Sequence, residues 1–322
     1  MAIIKGKRIF LTGGAGFIGS TLISRLIKDN QIVVYDNLRR DSLKYTGLLR
    51  HKHLRLIKAD VLDPLSLKKA IKGSDIVFHL AAIAGIDTVT KSATRTMKVN
   101  MIGTANVLEA AMSLKNCQRF IDFSTSEVFG TYCYNSQEGD PTSMGAVGEA
   151  RWTYAVSKLS AEHLAYSYYK EFNLPIVIVR PFNIYGPGQT GEGAVHHVIK
   201  RAIQGLPINI FGEGNRIRSW CYIDDFIEGV LLCLKDSKAI GQVFNIGNPR
   251  STITVYGLAL LALKVTKSKS AIRFLPDSEA DIELRMPNID KAKKVIGFCP
   301  RIELEEGLIR TAQWYKNNLK RK

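Results

Sequence analysis

The sequence predicts an α/β fold in which a doubly wound parallel sheet is joined to a smaller C-terminal lobe. In the first half of the chain, short apolar runs alternate with amphipathic stretches of helical periodicity. Runs that are apolar at every position are typical of strands buried on both faces between helices. The second half is less regular and follows a glycine-rich stretch, GQTGEG. We therefore predict one domain over residues 1–187 and a smaller lobe over 188–322, with the two interleaved.

The predicted elements follow from the spacing of apolar residues, and proline favours the start of the helix at Pro64. In the first half we predict strands at Arg8–Leu11, Ile32–Tyr35, Leu54–Lys58, Ile76–Leu80 and Phe120–Ser124, with helices at Ile18–Lys28, Pro64–Lys72 and up to Ser113. In the second half we predict helices at Thr153–Glu171, Val195–Gln204, Asp224–Leu234 and the C-terminus, with strands at Ile176–Arg180, Ile208–Phe211 and Val243–Ile246.

The composition is that of an ordinary globular protein, with 46% hydrophobic and 23% charged residues. No apolar run approaches the roughly 20 residues of a membrane helix, and the first residues lack the apolar stretch of a signal peptide. Five cysteines without CxxC spacing indicate free thiols in a reducing compartment. We therefore expect a cytoplasmic protein. We expect no metal site, because the adjacent His196 and His197 point to different faces of a helix.

The chain is strongly basic, with 45 Lys and Arg against 29 Asp and Glu and a formal net charge of +16. The basic residues are spread along the chain, and the dense cluster is the tail Lys316, Lys320, Arg321 and Lys322. No nucleic-acid-binding motif accompanies the charge, so we predict a solvated basic surface and no nucleic-acid partner. Such a surface would steer a multiply charged anion towards its site.

A glycine-rich turn, TGGAGFIG at Thr12–Gly19, joins the first predicted strand to the first helix. Glycine permits a tight turn, lets a pyrophosphate approach the backbone, and allows the helix to pack closely on the strand. The helix N-terminus then presents free N–H groups and a partial positive charge to phosphates. This pattern predicts a Rossmann-type dinucleotide site with contacts from Gly13, Gly16, Phe17, Ile18 and Gly19.

The second predicted strand ends at Asp36, which is followed by Asn37. A carboxylate there accepts hydrogen bonds from the adenosine ribose and repels a 2′-phosphate, which favours NAD over NADP. Arg39 and Arg40 lie close by and weaken that preference. Ligands bind at the carboxyl edge of such a sheet, so the ends of later strands supply further predicted cofactor contacts, namely Asp60, Val61, Leu80, Ala81 and Ala82.

Tyr154 and Lys158 lie at the start of a predicted helix, in the run YAVSK. Positions i and i+4 share one face, so we expect the phenol and the ammonium to lie together. The ammonium and a positively charged nicotinamide would lower the pKa of the phenol, which suits a base for a hydroxyl proton. The fifth strand ends in STSEVFG, where Thr125 is predicted to bond the reacting hydroxyl and Ser126 and Glu127 are catalytic candidates.

Together these motifs resemble the extended short-chain dehydrogenase/reductase family over nearly the whole chain. The matching runs are TGGAGFIG, HLAA, VNMIGT, STSEVFG, YAVSK and RPFNIYGP, together with Asp36 and Asp60-Val61. The resemblance implies cofactor contacts from Asn100, Tyr154, Lys158, Pro181 and Asn183. It also implies that tightly held NAD oxidises a hydroxyl of a nucleotide sugar, usually at C4, and later takes part in re-reduction. A homodimer formed by the helices near Asn100 and Tyr154 is implied as well.

Three reactions of that family remain open, and the residues favour decarboxylation of UDP-glucuronate. Simple 4-epimerases usually carry small residues at Ser126 and Glu127, whereas dTDP-glucose 4,6-dehydratases usually carry aspartate before the glutamate. UDP-glucuronate decarboxylases resemble this chain in Thr-Ser-Glu, in the small residue after Arg218, and in Arg-x-Pro-x-Ile from Arg285. We expect Arg285 to bind the sugar carboxylate or a phosphate, and Glu127 to order the water that protonates C5. The alternative for Arg285 is a surface salt bridge.

The substrate residues predicted in the smaller lobe are Phe211, which resembles a nucleobase-binding edge, and Arg218, whose planar fork suits a diphosphate. Asn183 and Lys200 are further candidates, and a UDP-sugar is favoured. Ile83–Thr90 and Gly191–His197 depart from the decarboxylase pattern, so 4-epimerisation and 4,6-dehydration stay open. A non-catalytic NAD-binding regulator is a remote alternative, because a binding module has no need of the whole set Thr125, Tyr154 and Lys158.

Overall fold

The computed structural model describes residues 4–277 and 282–319, and the basic tail residues Lys320, Arg321 and Lys322 lie outside the described residues. The strands up to residue 185 are β1 (Arg8–Thr12), β2 (Gln31–Asp36), β3 (Leu54–Lys58), β4 (Ile76–His79), β5 (Arg119–Phe123), β6 (Tyr132–Ser136), β7 (Ile176–Pro181) and β8 (Ile184–Tyr185). The later strands are β9 (Ile208–Phe211), β10 (Ile217–Ser219), β11 (Cys221–Tyr222), β12 (Gln242–Ile246), β13 (Thr252–Thr254), β14 (Ile272–Leu275) and β15 (Leu284–Pro287).

The helices of the first half are α1 (Phe17–Leu26), α2 (Pro64–Ala70), α3 (Ile86–Lys91), α4 (Ala93–Met97), α5 (Gly103–Met112) and α6 (Ala150–Phe172). Those of the second half are α7 (Ala194–Ile203), α8 (Ile223–Lys235), α9 (Val255–Thr266), α10 (Asp290–Ile296) and α11 (Leu304–Leu319). The stretch predicted to be helical up to Ser113 is divided into α3, α4 and α5, and a π-helical turn at Lys98–Ile102 separates the last two.

Seven parallel strands form the central sheet in the order β12–β7–β5–β4–β1–β2–β3. The chain order reverses between β1 and β4, which leaves a crevice at the carboxyl ends of these two strands. The predicted doubly wound parallel sheet is therefore confirmed.

The central sheet separates two hydrophobic cores. Ile9 and Leu11 of β1 pack in one core, while Phe10 packs in the other, and all three are fully buried. Because the strands are covered by helices on both faces, both sides of each strand must be apolar. This is the physical reason for the continuous apolar runs in the first half of the sequence.

The two halves of the chain share their sheets. Strand β12, from the second half, lies beside β7 at the edge of the central sheet, with Val243 opposite Ile178. A second sheet, ordered β13–β10–β15–β6, joins β6 of the first half to three strands of the second. The two halves are thus interleaved, and the boundary at 187/188 stays a prediction.

Within the described residues, no helix is both long and apolar enough to cross a membrane. The same part of the chain contains no group of three or more His, Cys, Asp or Glu side chains placed to hold a metal ion. All five cysteines are free thiols, and Cys133, Cys221 and Cys233 are buried.

Candidate active site

The turn after β1 forms a concave surface that requires glycine at two positions. Gly13 has a φ of +68°, and a Cβ there would lie 2.5 Å from the backbone nitrogen of Ala81. A Cβ on Gly19 would lie 2.6 Å from the Cα of Gly14, so α1 packs directly on the turn. The surface lies at the N-terminus of α1, where free N–H groups favour an anion. Its shape and charge fit a pyrophosphate.

Asp36 links the end of β2 to this turn. Its carboxylate accepts hydrogen bonds from the backbone N–H groups of Ala15, at 2.9 Å, and Leu38, at 2.7 Å. Burial raises the pKa of the carboxyl group, and the two N–H donors lower it. The side chain also lies in the wall of the adjacent cavity. Asp36 therefore shapes the turn as well as presenting an acceptor to a ribose, and the sequence indicated only the second role.

A cavity of about 310 Å³ extends along the carboxyl edge of the sheet, from the glycine turn to Tyr154. It lies where the strand order reverses, which is the ligand-binding position of open α/β sheets. Most of the predicted cofactor residues line it, namely Gly13, Gly16, Phe17, Ile18, Gly19, Asp36, Asn37, Asp60, Val61, Leu80, Ala81, Ala82, Tyr154 and Pro181. The glycine turn, the Asp36 carboxylate and this cavity together fit a dinucleotide.

Asn100 lies behind the cavity wall, although it was predicted to contact the cofactor. It is fully buried, and its amide bonds both backbone polar groups of Ile83, accepting from N at 2.8 Å and donating to O at 3.1 Å. The same amide donates to the hydroxyl of Ser157 at 2.9 Å. Asn100 therefore fixes the loop after β4 against α6, and it acts on the cavity through that loop.

The sequence did not indicate the ion pairs that Arg40 and Asp60 form at the cavity. Arg40 donates to the carbonyl of Ala84 at 2.8 Å and pairs with Glu192 at 3.4 Å. Arg95 pairs with Asp60 at 3.1 Å. Arg40 and Glu192 are 152 positions apart, so no local spacing could have indicated their pairing. The signal in the sequence for this contact was the glycine-rich stretch GQTGEG, which indicated that the segment containing Glu192 is a loop.

Tyr154, in α6, meets the end of β5 at the inner part of the cavity. Its phenol is hydrogen-bonded to the hydroxyl of Thr125, which also accepts from the N–H of Glu127 at 3.2 Å. Burial raises the pKa of Tyr154 and the carboxylate of Glu127 raises it further, while Thr125 and Arg40 lower it. For the protein alone the pKa of Tyr154 is therefore raised, because burial and Glu127 outweigh Thr125 and Arg40, and the lowering expected beside a bound nicotinamide stays a prediction. A positively charged nicotinamide would act in the lowering direction.

Lys158 is 1% exposed and lies over buried polar groups of the sheet. Its charge lowers the pKa of Asp122 against the larger effect of burial, and it helps burial lower the pKa of His79 to about 3. His79 lies between the hydroxyls of Thr12, at 2.7 Å, and Thr104, at 2.9 Å. Neither carboxyl oxygen of Asp122 has a hydrogen-bond partner among the described residues. The ammonium thus acts on two buried groups that sequence reasoning missed.

Arg285 lies beneath the surface and outside the cavity wall. Its side chain is 1% exposed and does not line the cavity, and its contact with substrate stays a prediction. The guanidinium donates to the backbone carbonyls of Ser126 and, at 2.6 Å, Gly130. Strand β15, which carries Arg285, lies between β10 and β6, and this pairing places the residue beneath the turn at Ser126–Phe129. Arg285 therefore fixes the backbone of this turn.

Two predicted substrate residues, Arg218 for the diphosphate and Asn183 as a further candidate, donate to backbone carbonyls. Arg218 is 9% exposed and donates to the carbonyls of Ile282 and, at 3.3 Å, Glu283. Asn183 has a left-handed backbone with a φ of +43°, and it donates to the carbonyl of Ser219 at 2.9 Å. Both side chains lie outside the wall of the cavity, and their contact with substrate stays a prediction.

Phe211 is exposed at the end of β9, the strand that pairs with β14. On β14 the ring of Phe274 is also exposed, and it packs 5.8 Å from the ring of Tyr256, centroid to centroid. Exposed aromatic rings offer flat apolar surfaces for stacking. Lys200 is half-buried on α7. Their roles towards a nucleotide stay predictions.

Comparison with known proteins identifies the family. The model of the NAD dependent epimerase/dehydratase family matches residues 9–247. The UDP-N-acetyl-alpha-D-glucosaminuronate decarboxylase of Bacillus cytotoxicus is 34% identical to the chain over 320 residues, which are 96% of this chain and 98% of that protein. UDP-glucuronic acid decarboxylase 1 of Danio rerio is 33% identical over 321 residues, 97% of this chain and 73% of that protein.

Among solved structures, the UDP-glucuronic acid 4-epimerase from Bacillus cereus, in complex with UDP-glucuronic acid and NAD, is similar with a TM-score of 0.88. It is 32% identical, and the alignment covers 96% of this chain and 99% of that one. These matches confirm the predictions of an enzyme, of NAD as cofactor, and of the extended short-chain dehydrogenase/reductase fold. The chain belongs to the NAD dependent epimerase/dehydratase family.

Proposed function

We propose that this chain is an NAD-dependent decarboxylase of a UDP-linked uronic acid, with UDP-glucuronate as its substrate. The observation that carries this proposal is the position of Glu127, whose carboxylate acts on Tyr154 from the turn after β5. A carboxylate at this point serves a reaction that must return a proton to carbon, whereas 4-epimerisation needs only rotation of the keto sugar and hydride return. The two decarboxylases that match nearly the whole chain support the same reaction.

NAD, when bound, supplies the oxidation of the C4 hydroxyl and the later reduction of the ketone. Tyr154 takes the proton of that hydroxyl, and Thr125 orients its oxygen. The C4 ketone makes the C6 carboxylate a β-keto acid, so the C5–C6 bond breaks, CO₂ leaves, and the electron pair passes into an enolate. Glu127 orders the water that returns a proton to C5. Tyr154 finally returns its proton to the C4 oxygen.

The other predicted residues take supporting roles in this proposal. Asn183 bonds the carbonyl of Ser219, next to Arg218 in β10, and we assign both residues to the diphosphate. Phe211 stacks on the nucleobase, and Lys200 contributes positive charge near the substrate. These four assignments rest on the position of each residue and on the family resemblance.

A second candidate is 4-epimerisation of UDP-glucuronate, which one of the similar solved structures supports. The similar structure from Bacillus cereus carries the name of that epimerase. Both reactions share the C4 ketone, and they differ in whether the carboxylate leaves before hydride returns.

The experiment that separates these reactions is mass spectrometry of the UDP-sugar after incubation with purified enzyme and NAD⁺. UDP-glucuronate, UDP-N-acetylglucosaminuronate and UDP-glucose are tested in parallel. We expect loss of CO₂ from UDP-glucuronate and no change in UDP-glucose. Loss of CO₂ only from the N-acetylated compound would correct the substrate, and unchanged mass with altered chromatographic retention would establish the epimerase.

Two variants serve as controls for the test. Tyr154→Phe should lower turnover by orders of magnitude while leaving NAD affinity within a few-fold, since it removes one oxygen from the cavity. Tyr134→Phe, at a tyrosine that is 70% exposed on β6, should behave as wild type. Near-normal turnover of Tyr154→Phe would remove the role proposed for this residue.

The enzyme is further proposed to act as a cytoplasmic homodimer. Large apolar side chains are exposed along α5 and α6 and the turn before them, at Ile102, Met112, Tyr166 and Phe172. Such residues are enriched where helices pair between subunits. The five free thiols suit a reducing compartment. Size-exclusion chromatography with light scattering tests the dimer.

A further inference from the structure

A second cavity, of about 240 Å³, lies at the amino edge of the central sheet. Its wall includes Lys7 before β1, Ile76 at the start of β4, Arg119 at the start of β5 and Lys235 at the end of α8. We name it the amino-edge pocket. The NAD site lies at the opposite edge, and β1, with five residues between the two, spans roughly 16 Å. A ligand of the amino-edge pocket therefore does not overlap the cofactor.

The wall of this pocket is strongly positive. Four of its residues are basic, namely Lys5, Lys7, Arg119 and Lys235, and none of the residues that line it is acidic. The carboxyl end of α8 adds a partial negative charge of about half a unit. Four full positive charges exceed that contribution, so the pocket attracts anions.

The most informative residue in the pocket is Arg119. It is only 7% exposed, and its Nε and Nη1 atoms have no hydrogen-bond partner among the described residues. Burial lowers the pKa of its guanidinium, while Cys233 and Asp236 raise it. The Asp236 carboxylate accepts from the backbone N–H of Lys238 at 2.9 Å, as the cap of the following turn. A buried guanidinium without a bonded acceptor is costly unless a ligand supplies one.

We propose that the amino-edge pocket binds a phosphate group. A guanidinium offers parallel N–H donors that match two oxygens of a tetrahedral oxyanion. Lys7 and Lys235, which reach the pocket from different elements, supply point charges for a doubly charged anion. The volume of the pocket admits inorganic phosphate, pyrophosphate or the phosphoryl end of a nucleotide. This site is independent of the reaction at the carboxyl edge, and its failure would leave the proposed decarboxylase unaffected.

The test is isothermal titration of the NAD-loaded enzyme with inorganic phosphate, pyrophosphate and adenosine monophosphate in a phosphate-free buffer. We expect saturable binding of at least one of them, and the tightest of the three identifies the source of the phosphate. Arg119→Met should weaken this binding at least 10-fold, and Lys235→Met, at an exposed position, should weaken it several-fold. Arg55→Met removes an exposed charge from β3 and should leave the binding unchanged.

The variant Arg218→Met distinguishes anion binding at the proposed substrate site from anion binding in the amino-edge pocket. This variant removes the proposed ligand of the substrate diphosphate, so binding that persists in Arg218→Met and is lost in Arg119→Met belongs to the amino-edge pocket. Absence of saturable binding to wild type, or equal binding by wild type and Arg119→Met, would overturn the proposal. Since methionine needs no polar partner, Arg119→Met should also melt at or above the temperature of wild type without phosphate. Added phosphate should then raise the melting temperature of wild type and not that of Arg119→Met.

Discussion

Ser124, in the wall of the cofactor cavity, donates a hydrogen bond of 2.6 Å to the buried carboxylate of Glu162. That carboxylate is itself bound by the guanidinium of Arg180, whose Nε lies 3.0 Å from Oε1. The pair joins α6 to β7, and Ser124 joins it to β5. A buried ion pair beneath α6 thus fixes the end of β5, which leads into the turn at Ser126–Phe129.

We predict that Glu162→Gln destabilises the protein by about 3 kcal/mol, because it leaves the Arg180 guanidinium buried without its counter-charge. The free energy of unfolding in urea measures the effect. Glu305→Gln breaks an exposed pair with Lys264 and should cost less than about 1 kcal/mol. Equal effects of the two variants would show that the buried pair contributes no more than a surface pair.

Gly13→Ala should abolish NAD binding and destabilise the protein. Gly47 provides the control, because its φ of +72° resembles that of Gly13 but a Cβ there meets nothing within 4 Å. Gly47→Ala should cost about 1 kcal/mol from backbone strain alone. Gly13→Ala should cost about 1–3 kcal/mol more, since its Cβ collides with the backbone at Ala81. Thermal unfolding and NAD titration check both variants. Similar results for the two would contradict the proposal that the turn after β1 holds the pyrophosphate of NAD.

Asp122→Asn should move the acid limb of the pH–rate profile to lower pH. The charge of Asp122 raises the pKa of Tyr154, so its removal lowers that pKa, and the phenolate forms at lower pH. The charged groups that act on Tyr154 together with Asp122 are Glu127 and Arg40. Turnover measured across pH with saturating substrate checks the shift, with Asp29→Asn, at an exposed position, as control. An unmoved limb would mean that Asp122 is neutral throughout the working range.

Arg285→Lys should lower kcat about 10-fold or more while leaving KM for the UDP-uronate within a few-fold. Lysine offers a single point charge and does not hold the carbonyls of Ser126 and Gly130 at the same time. Arg273→Lys, on the exposed side of β14, should resemble wild type. A large rise in KM for UDP-glucuronate without a change in the affinity for UDP-glucose would instead restore Arg285 as the ligand of the carboxylate.

Much of the fold was predictable because its signals are local. The strand bounds of β3 in the central sheet and of β9 outside it agree with the prediction, and the remaining strands of the central sheet differ by one residue at one or both ends. The short strands β6, β8, β10, β11, β13, β14 and β15 were missed, since none is long enough to show a period. Strands β13, β10, β15 and β6 form the sheet that carries Arg285, so the position of this residue beneath the turn at Ser126–Phe129 was not predictable from the sequence.

The sequence by itself determined the family, the parallel sheet, and the glycine-rich turn at Gly13–Gly19 that is proposed to bind the cofactor. Each of these depends on neighbours along the chain: a glycine run, an alternation of strands and helices, or an i, i+4 pair. The tertiary structure alone decided which groups Lys158 acts on and where Arg285 donates. It also decided that the Nε and Nη1 atoms of Arg119 are buried without a hydrogen-bond partner among the described residues. These contacts join strands far apart in sequence, and the burial that fixes the charge and pKa of a side chain exists only after folding.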